Sequence, residues 1–141
     1  MVDLSHGSAR GSPGDAGIGG VLRDSNGKVW CLFSSYVGFT DSNSAEVLAI
    51  HRACNLIVSN RLLDGRNIVI ISDSRSAVSW MNGSDFGNIK LVQLVYDVRQ
   101  ALQFREGLSV KFMTRNFNSF ADGLAKDGSG RNGERLVWEV S

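Results

Sequence analysis

Three acids in this chain stand where apolar patterns stop or turn: Glu46, Asp73 and Asp122. Each has an ordinary explanation. Asp73 follows Asn67-Ile68-Val69-Ile70-Ile71-Ser72 and precedes Ser74-Arg75-Ser76-Ala77-Val78, so it can cap the helix that begins there. Glu46 closes Asn43-Ser44-Ala45-Glu46, the spacing of a capping box. Asp122 falls in the first turn of a helix opened by Asn118-Ser119, where an acid complements the helix dipole. Together the three allow a different chemistry. Hard carboxylate oxygens gathered at one point suit magnesium, above all a pair of ions about 4 Å apart that clamp a phosphodiester during displacement.

Whether the acids meet depends on the elements that carry them. Ile68-Val69-Ile70-Ile71, entered from Asp64-Gly65-Arg66, reads as a strand buried on both faces, the centre of a sheet covered by helices. Asp73 then sits at that strand's carboxyl end, where open α/β sheets bind ligands at the reversal of strand order. From Asn43 to about Asn60 the spacing is helical: Ala49, Ile50, Ala53, Cys54 and Ile57 share one stripe, and Glu46 lies on the same side one turn earlier.

Upstream, Val2 to His6 reads as a strand entered almost at the first residue, as in a piece of a longer chain, and Gly7 to Gly14 reads as a loop. Ala16–Asp24 and Lys28–Phe33 flank Ser25-Asn26-Gly27, a hairpin signal. Downstream come a short helix from Ser74 to Asn82, a longer one from about Asn88 to Phe104, a strand over Leu108–Thr114 and a last helix over Asn118–Lys126. Crossovers of this length are right-handed and join parallel strands. The expected fold is α/β, a mixed five-stranded sheet of order 3-2-1-4-5 flanked by helices, with the tail beyond about residue 128 unassigned.

Composition narrows the function. With 141 residues, 43% hydrophobic and 21% charged, one domain over 1–141 can bury a core. A net charge of +1 argues against a purely electrostatic DNA binder. Cys31 and Cys54 have no metal-ligand spacing and read as reduced thiols. Neither a secretion signal nor a membrane-length segment is visible, so an intracellular protein is expected, with cytoplasm and nucleus not distinguished.

The succession His6-Gly7-Ser8, Ala16-Gly17-Ile18-Gly19-Gly20-Val21-Leu22-Arg23-Asp24, Asp41-Ser42-Asn43-Ser44-Ala45-Glu46, Ser72-Asp73-Ser74 and the Ala-Asp-x-Leu-Ala-Lys core within Asn118–Lys126 resembles type-1 ribonuclease H. It is most similar to the plant reverse-transcriptase-like domains of non-LTR retroelements. The resemblance covers nearly the whole chain and implies a ribonuclease H-like fold. It also implies hydrolysis of the RNA strand of RNA–DNA hybrids by an Asp-Glu-Asp-Asp set holding two Mg²⁺ ions, Mn²⁺ being an alternative. Glu46, Asp73 and Asp122 would be the second, third and fourth ligands.

The first ligand should be an aspartate before Gly7-Ser8, and that position is His6. The exchange removes the anion shared by both ions and offers a nitrogen that suits Zn²⁺ or Mn²⁺ better than Mg²⁺. Asp3 does not replace it: three residues away on a strand, it faces the other side of the sheet. The resemblance further makes Ser42, Asn43, Ser74 and Arg75 contacts to base edges and 2′-hydroxyls, and Gly7, Ser8 and Arg10 contacts to phosphate. Arg115 and Asn116 occupy the loop where relatives carry a mobile histidine. Gly83 to Asn88 lacks the basic protrusion of cellular relatives. Hence the expectation is a monomeric hybrid endonuclease, weakened or inactivated by His6 and part of a larger retroelement polyprotein. The alternatives are an inactive fold kept for binding nucleic acid or protein, and another nuclease of the same superfold.

Overall fold

The apolar run ahead of Asp73 forms β4, Ile68–Ser72, which pairs in parallel with β1 (Val2–Ala9) on one side and β5 (Leu108–Phe112) on the other. Pairing on both sides satisfies the main-chain N–H and C=O groups of the strand, while Ile68, Ile70 and Ile71 are buried on its two faces. The computed structural model describes residues 1–9, 11, 13–83, 85, 87–114, 125 and 134–138. Beyond β1 lie β2 (Gly14–Arg23) and β3 (Val29–Thr40), each antiparallel to its predecessor, then β6 (Glu134–Trp138) antiparallel to β3. The sheet order is β5-β4-β1-β2-β3-β6.

Read from the other edge, the first five strands follow the expected 3-2-1-4-5, so reversal occurs between β1 and β4, beside Asp73. The expected five-stranded sheet is corrected to six strands. The sixth comes from the unassigned tail, and Glu134 to Val137 are all exposed. An outer strand held by main-chain pairing and by the ion pair from Arg52 to Glu134 needs no apolar alternation to mark it.

Three helices are described: α1 (Ser42–Ser59), α2 (Arg75–Asn82) and α3 (Val92–Phe104). The stripe read in the sequence is the buried side of α1, where Ala49, Ile50, Ala53, Cys54 and Ile57 are covered. They join Phe33 of β3, Ile68 and Ile70 of β4, and Val95 and Val98 of α3 in the core, each large aliphatic side chain contributing about 1.5–3 kcal/mol. The expected last helix lies outside the described residues except for Ala125, which is helical and buried.

Two boundaries differ in ways that bear on the site. β1 does not stop at His6 but runs to Ala9, because Gly7 to Ala9 pair with Ile18 to Ala16 of β2. Helix α1 is capped by Asp41, whose carboxylate accepts from the Ser44 N–H at 2.7 Å. The capping-box reading of Asn43 and Glu46 is therefore corrected, and Glu46 is released from the helix end.

Candidate metal centre

Register brings two of the candidate groups together. Leu4 pairs with Ile71, so two residues further on His6 of β1 comes level with Asp73, just past the end of β4. The third arrives from α1, which lies against β1 without an intervening side chain. A Cβ on Gly7 would stand 2.2 Å from the Ala45 carbonyl carbon and 2.4 Å from the Glu46 nitrogen, so only glycine admits the helix here. The bare α-carbon of Gly7 is thus covered by helix. Ser8, the next residue, is only partly buried.

The outcome is a three-residue cluster. His6 Nδ1 is 3.0 Å from Glu46 Oε1 and 3.0 Å from Asp73 Oδ1, and one donor atom from each residue lies within 4.8 Å of the others. All three side chains are nearly inaccessible, at 4%, 9% and 7% exposed. The Nδ1–H of His6 donates to Asp73 Oδ1, and the same nitrogen stands at ion-pair distance from Glu46 Oε1. Beneath it, the buried Ser72 hydroxyl donates to Glu46 Oε2 at 3.3 Å and accepts from the Ser74 N–H at 3.1 Å. Ser72 was not singled out from the sequence. Its position two residues before a helix cap, between the strand and the acid, was the available signal.

Burial pushes the Glu46 carboxyl up to about 7; the His6 imidazole opposes this, the Asp73 charge adds to it, and the Gly7 N–H and Ser72 hydroxyl oppose it further. Near neutrality the site therefore holds a carboxyl group that readily shares a proton. Asp3 is elsewhere, as expected. It is buried against α1, lining a cavity with Leu22, Cys31, Phe33, Leu56 and Trp138, and its carboxyl is pushed up to about 7 by burial, partly offset by the Ser5 hydroxyl.

The described candidates beyond the cluster stand at the starts of α1 and α2. Ser42 and Asn43 are exposed in the first turn of α1. Ser74, and not Asp73, caps α2: its hydroxyl oxygen accepts from the Ala77 N–H at 3.2 Å. The exposed Arg75 guanidinium stacks 4.2 Å from the Phe112 ring centre. Asp122, Arg10, Arg115 and Asn116 lie outside the described residues. Trp80 is partly buried against the core, and His51 pairs with Asp97 between α1 and α3, far along the chain from the cluster.

A family model described as reverse transcriptase-like matches residues 4–128. The chain belongs to this family of ribonuclease H domains. Solved structures place the reverse-transcriptase-like chain on the ribonuclease H fold. It is similar to LC11-RNase H1, isolated from compost by a metagenomic approach, with 29% identity, a TM-score of 0.82 and coverage of 92% of this chain and 94% of that one. The same protein, solved in complex with an RNA/DNA hybrid, gives 28% identity, a TM-score of 0.81 and coverage of 92% and 96%. RNase H1 from the archaeon Halobacterium salinarum NRC-1 gives 25%, 0.79, 90% and 95%. A foamy viral protease–reverse transcriptase in complex with an RNA/DNA hybrid shares the fold at 20% identity and a TM-score of 0.76, 91% of this chain matching 20% of the viral one. A search of curated proteins gave no match.

Among the described residues, the reverse-transcriptase-like domain brings together one nitrogen and two carboxylates where an all-carboxylate set was expected of the family. With bonds of about 2.0–2.2 Å, neighbouring ligands of one ion stand about 2.8–3.6 Å apart between octahedral and tetrahedral coordination, a range that includes the 3.0 Å separations at His6. The described donors therefore fit one divalent transition cation once Nδ1 has given up its proton.

Proposed function

We propose that this domain engages RNA–DNA hybrids as a ribonuclease H-type hydrolase whose cleavage of the RNA strand is weakened or lost through His6. The observation that carries the reading is the meeting of His6, Glu46 and Asp73 at the carboxyl end of the central strands of a ribonuclease H sheet. Glu46 and Asp73, completed by Asp122, would hold divalent ions, Mg²⁺ by family likeness and Mn²⁺ by the chemistry of His6. A bound ion would supply Lewis-acid stabilisation of phosphodiester charge and a more acidic water.

The protein's own groups have separate tasks. Ser72 and the Gly7 N–H hold Glu46 in place. Asn43 and Ser42, exposed at the start of α1, would meet 2′-hydroxyls and base edges in a wide minor groove, with Ser74 or Arg75 as a second such contact, and Ser8 would meet phosphate. Gly7 would act through helix packing, and Arg10, Arg115 and Asn116 complete the proposed hybrid surface. A plant retroelement polyprotein as the parent, and an intracellular setting, belong to the same proposal.

A second reading follows from the Nδ1–H itself. By donating to Asp73 and standing 3.0 Å from Glu46, His6 stands in for the cation, so the domain can keep its shape and bind nucleic acid or protein without cutting. Hybrid cleavage with Mg²⁺ and Mn²⁺, comparing this chain with His6→Asp, separates the two. Strong gain on substitution supports the hydrolase site, hybrid binding with no cleavage in either chain supports the second reading, and equal high cleavage in both overturns the role given to His6.

A further inference from the structure

One rung of the sheet carries an acid into the core. Asp3 of β1 pairs with Leu22 of β2, Leu22 with Cys31 of β3, and Cys31 with Trp138 of β6, so the four side chains stand in line on the face that α1 covers. They line one small cavity, roofed by Ala53, Leu56 and Ile57 of α1. Asp3 is 3% exposed, and the Ser5 hydroxyl donates to its carboxyl group. A carboxyl group sealed among apolar walls either keeps its proton or has to reach water. The walls are not held equally. Leu22 and Cys31 lie on strands paired on both sides, and the roof belongs to a helix of 18 residues. Trp138 closes the rung from the outermost strand, which is paired on one side and exposed from Glu134 to Val137. Beyond its ladder to β3, this strand is tied down by the ion pair from Arg52 to Glu134. Few buried contacts and a single pairing edge mark the element that opens first.

We infer that β6 is a proton-controlled strap: it closes over the rung while Asp3 is protonated and opens when Asp3 ionises, baring the Cys31 thiol while the rest of the fold stays shut. Burial pushes the Asp3 carboxyl up from 3.8 to about 7, the Ser5 hydroxyl opposing, so the closed strap holds the proton and the open one releases it. Opening is therefore favoured as pH rises from 3.8 towards about 7, and it levels off above that. Hydration that restores the ordinary carboxyl value multiplies the open fraction by at most about seventyfold between about pH 5 and about pH 7.5. Among the described residues, the other titratable groups facing this rung are thiols. Cys31 on β3 and Cys54 on α1 are both pushed up to about 12 by burial, the Asp3 charge adding, and at that value both stay neutral through the interval. Beside Asp3, β2 and β4 present Leu22 and Ile70. Arg52 of α1 and Glu134 of β6 act on Cys31 with opposite signs.

Alkylation with iodoacetamide, followed by peptide mass spectrometry, reads the two thiols separately in the whole chain. Cys54 lies on α1 outside the cavity lining, so general unfolding bares it and release of the strap does not. Rates for the unmodified chain are divided by those for Asp3→Asn at the same pH, which cancels the reactivity of the thiol itself. The Cys31 ratio rises at least about tenfold between about pH 5 and about pH 7.5 and then flattens, while Cys54 stays protected. Glu134→Gln, which removes the ion pair, speeds Cys31 alkylation at every pH without changing that slope. Circular dichroism checks that each variant folds. Hydrogen exchange of the unmodified chain, corrected for intrinsic rates, needs no variant: the amides of Glu134 to Trp138 lose protection over the same interval and those of β1 keep theirs. A flat ratio, a Cys31 that resists alkylation at every pH, alkylation of both thiols together, or exchange in β6 that ignores pH overturns the inference.

Discussion

Replacing His6 by aspartate trades an attraction for a repulsion, and the geometry bounds its size. His6 Nδ1 lies 3.0 Å from carboxylate oxygens on Glu46 and Asp73, with all three side chains under a tenth exposed, so solvent screens the contacts poorly. At an effective dielectric of about 20, two unit charges 4 Å apart interact by about 4 kcal/mol. Because Glu46 titrates near 7, it carries its full charge only part of the time at neutrality. Side chains also draw apart, so His6→Asp should destabilise the metal-free fold by about 3 kcal/mol, which for a chain of this size lowers Tm by roughly 10 °C. Millimolar Mg²⁺ should return most of that loss in the variant and almost none in the unmodified chain, whose imidazole already separates the two acids. Hybrid cleavage should rise with it by about three orders of magnitude, the factor that several kcal/mol of metal-mediated stabilisation represents. The assay is a thermal melt in EDTA and in Mg²⁺, run beside cleavage of a labelled RNA–DNA duplex. A variant with unchanged Tm in EDTA, no response to Mg²⁺ and no gain in cleavage would refute the reasoning.

Four further outcomes are expected. If the His6 nitrogen between the two acids already takes the place of a cation, chelators should leave the Tm of the unmodified chain in place; a drop with EDTA, seen by scanning calorimetry, would count against that reading. Gly7→Ala should cost several kcal/mol in urea unfolding, because the new carbon would overlap the Ala45 and Glu46 main chain, and a neutral result would show that α1 can yield. Ser72→Ala should destabilise by about 1–3 kcal/mol through the orphaned Ser74 N–H and should also change the titration of Glu46 followed by carboxyl NMR; a loss of stability with an unaltered titration would reduce Ser72 to a packing role. Asp3 is raised from 3.8 to about 7, so its contribution to stability is complete below its unfolded value and is lost as pH rises through the interval to about 7. That loss is on the order of 4 kcal/mol, and Asp3→Asn should flatten much of it in a pH series of urea midpoints; an unchanged slope would disprove the assignment.

Much of this architecture was legible because particular residues had few alternatives. Four β-branched residues ending in an acid placed Asp73 at the end of a central strand, and the alignment of Glu46 with the α1 stripe pointed it inward. What escaped notice was governed by main chain or by exposure. Asp41 and Asn43 both make good caps, and composition alone does not choose between them. Ser34 to Thr40 extend β3 through strand pairing with β2, although their pattern is mixed, with the bulge at Gly38 shifting the register. The exposed β6 had no apolar signature to read. That Nδ1 of His6 would lie equally close to both acids follows from the parallel register of β1 and β4, which sets Asp73, and from the seating of α1 on Gly7, which sets Glu46; no local pattern encodes either.

The passage of α1 over Gly7 has a last consequence. Because the main chains of strand and helix meet there with no side chain between them, the shape of the pocket is set by the scaffold as well as by the groups that line it. A change of residue type at position 6 then acts first on the charge of the pocket, and the stability it costs is open to recovery by a bound cation, while the course of the main chain is held by the contact at Gly7.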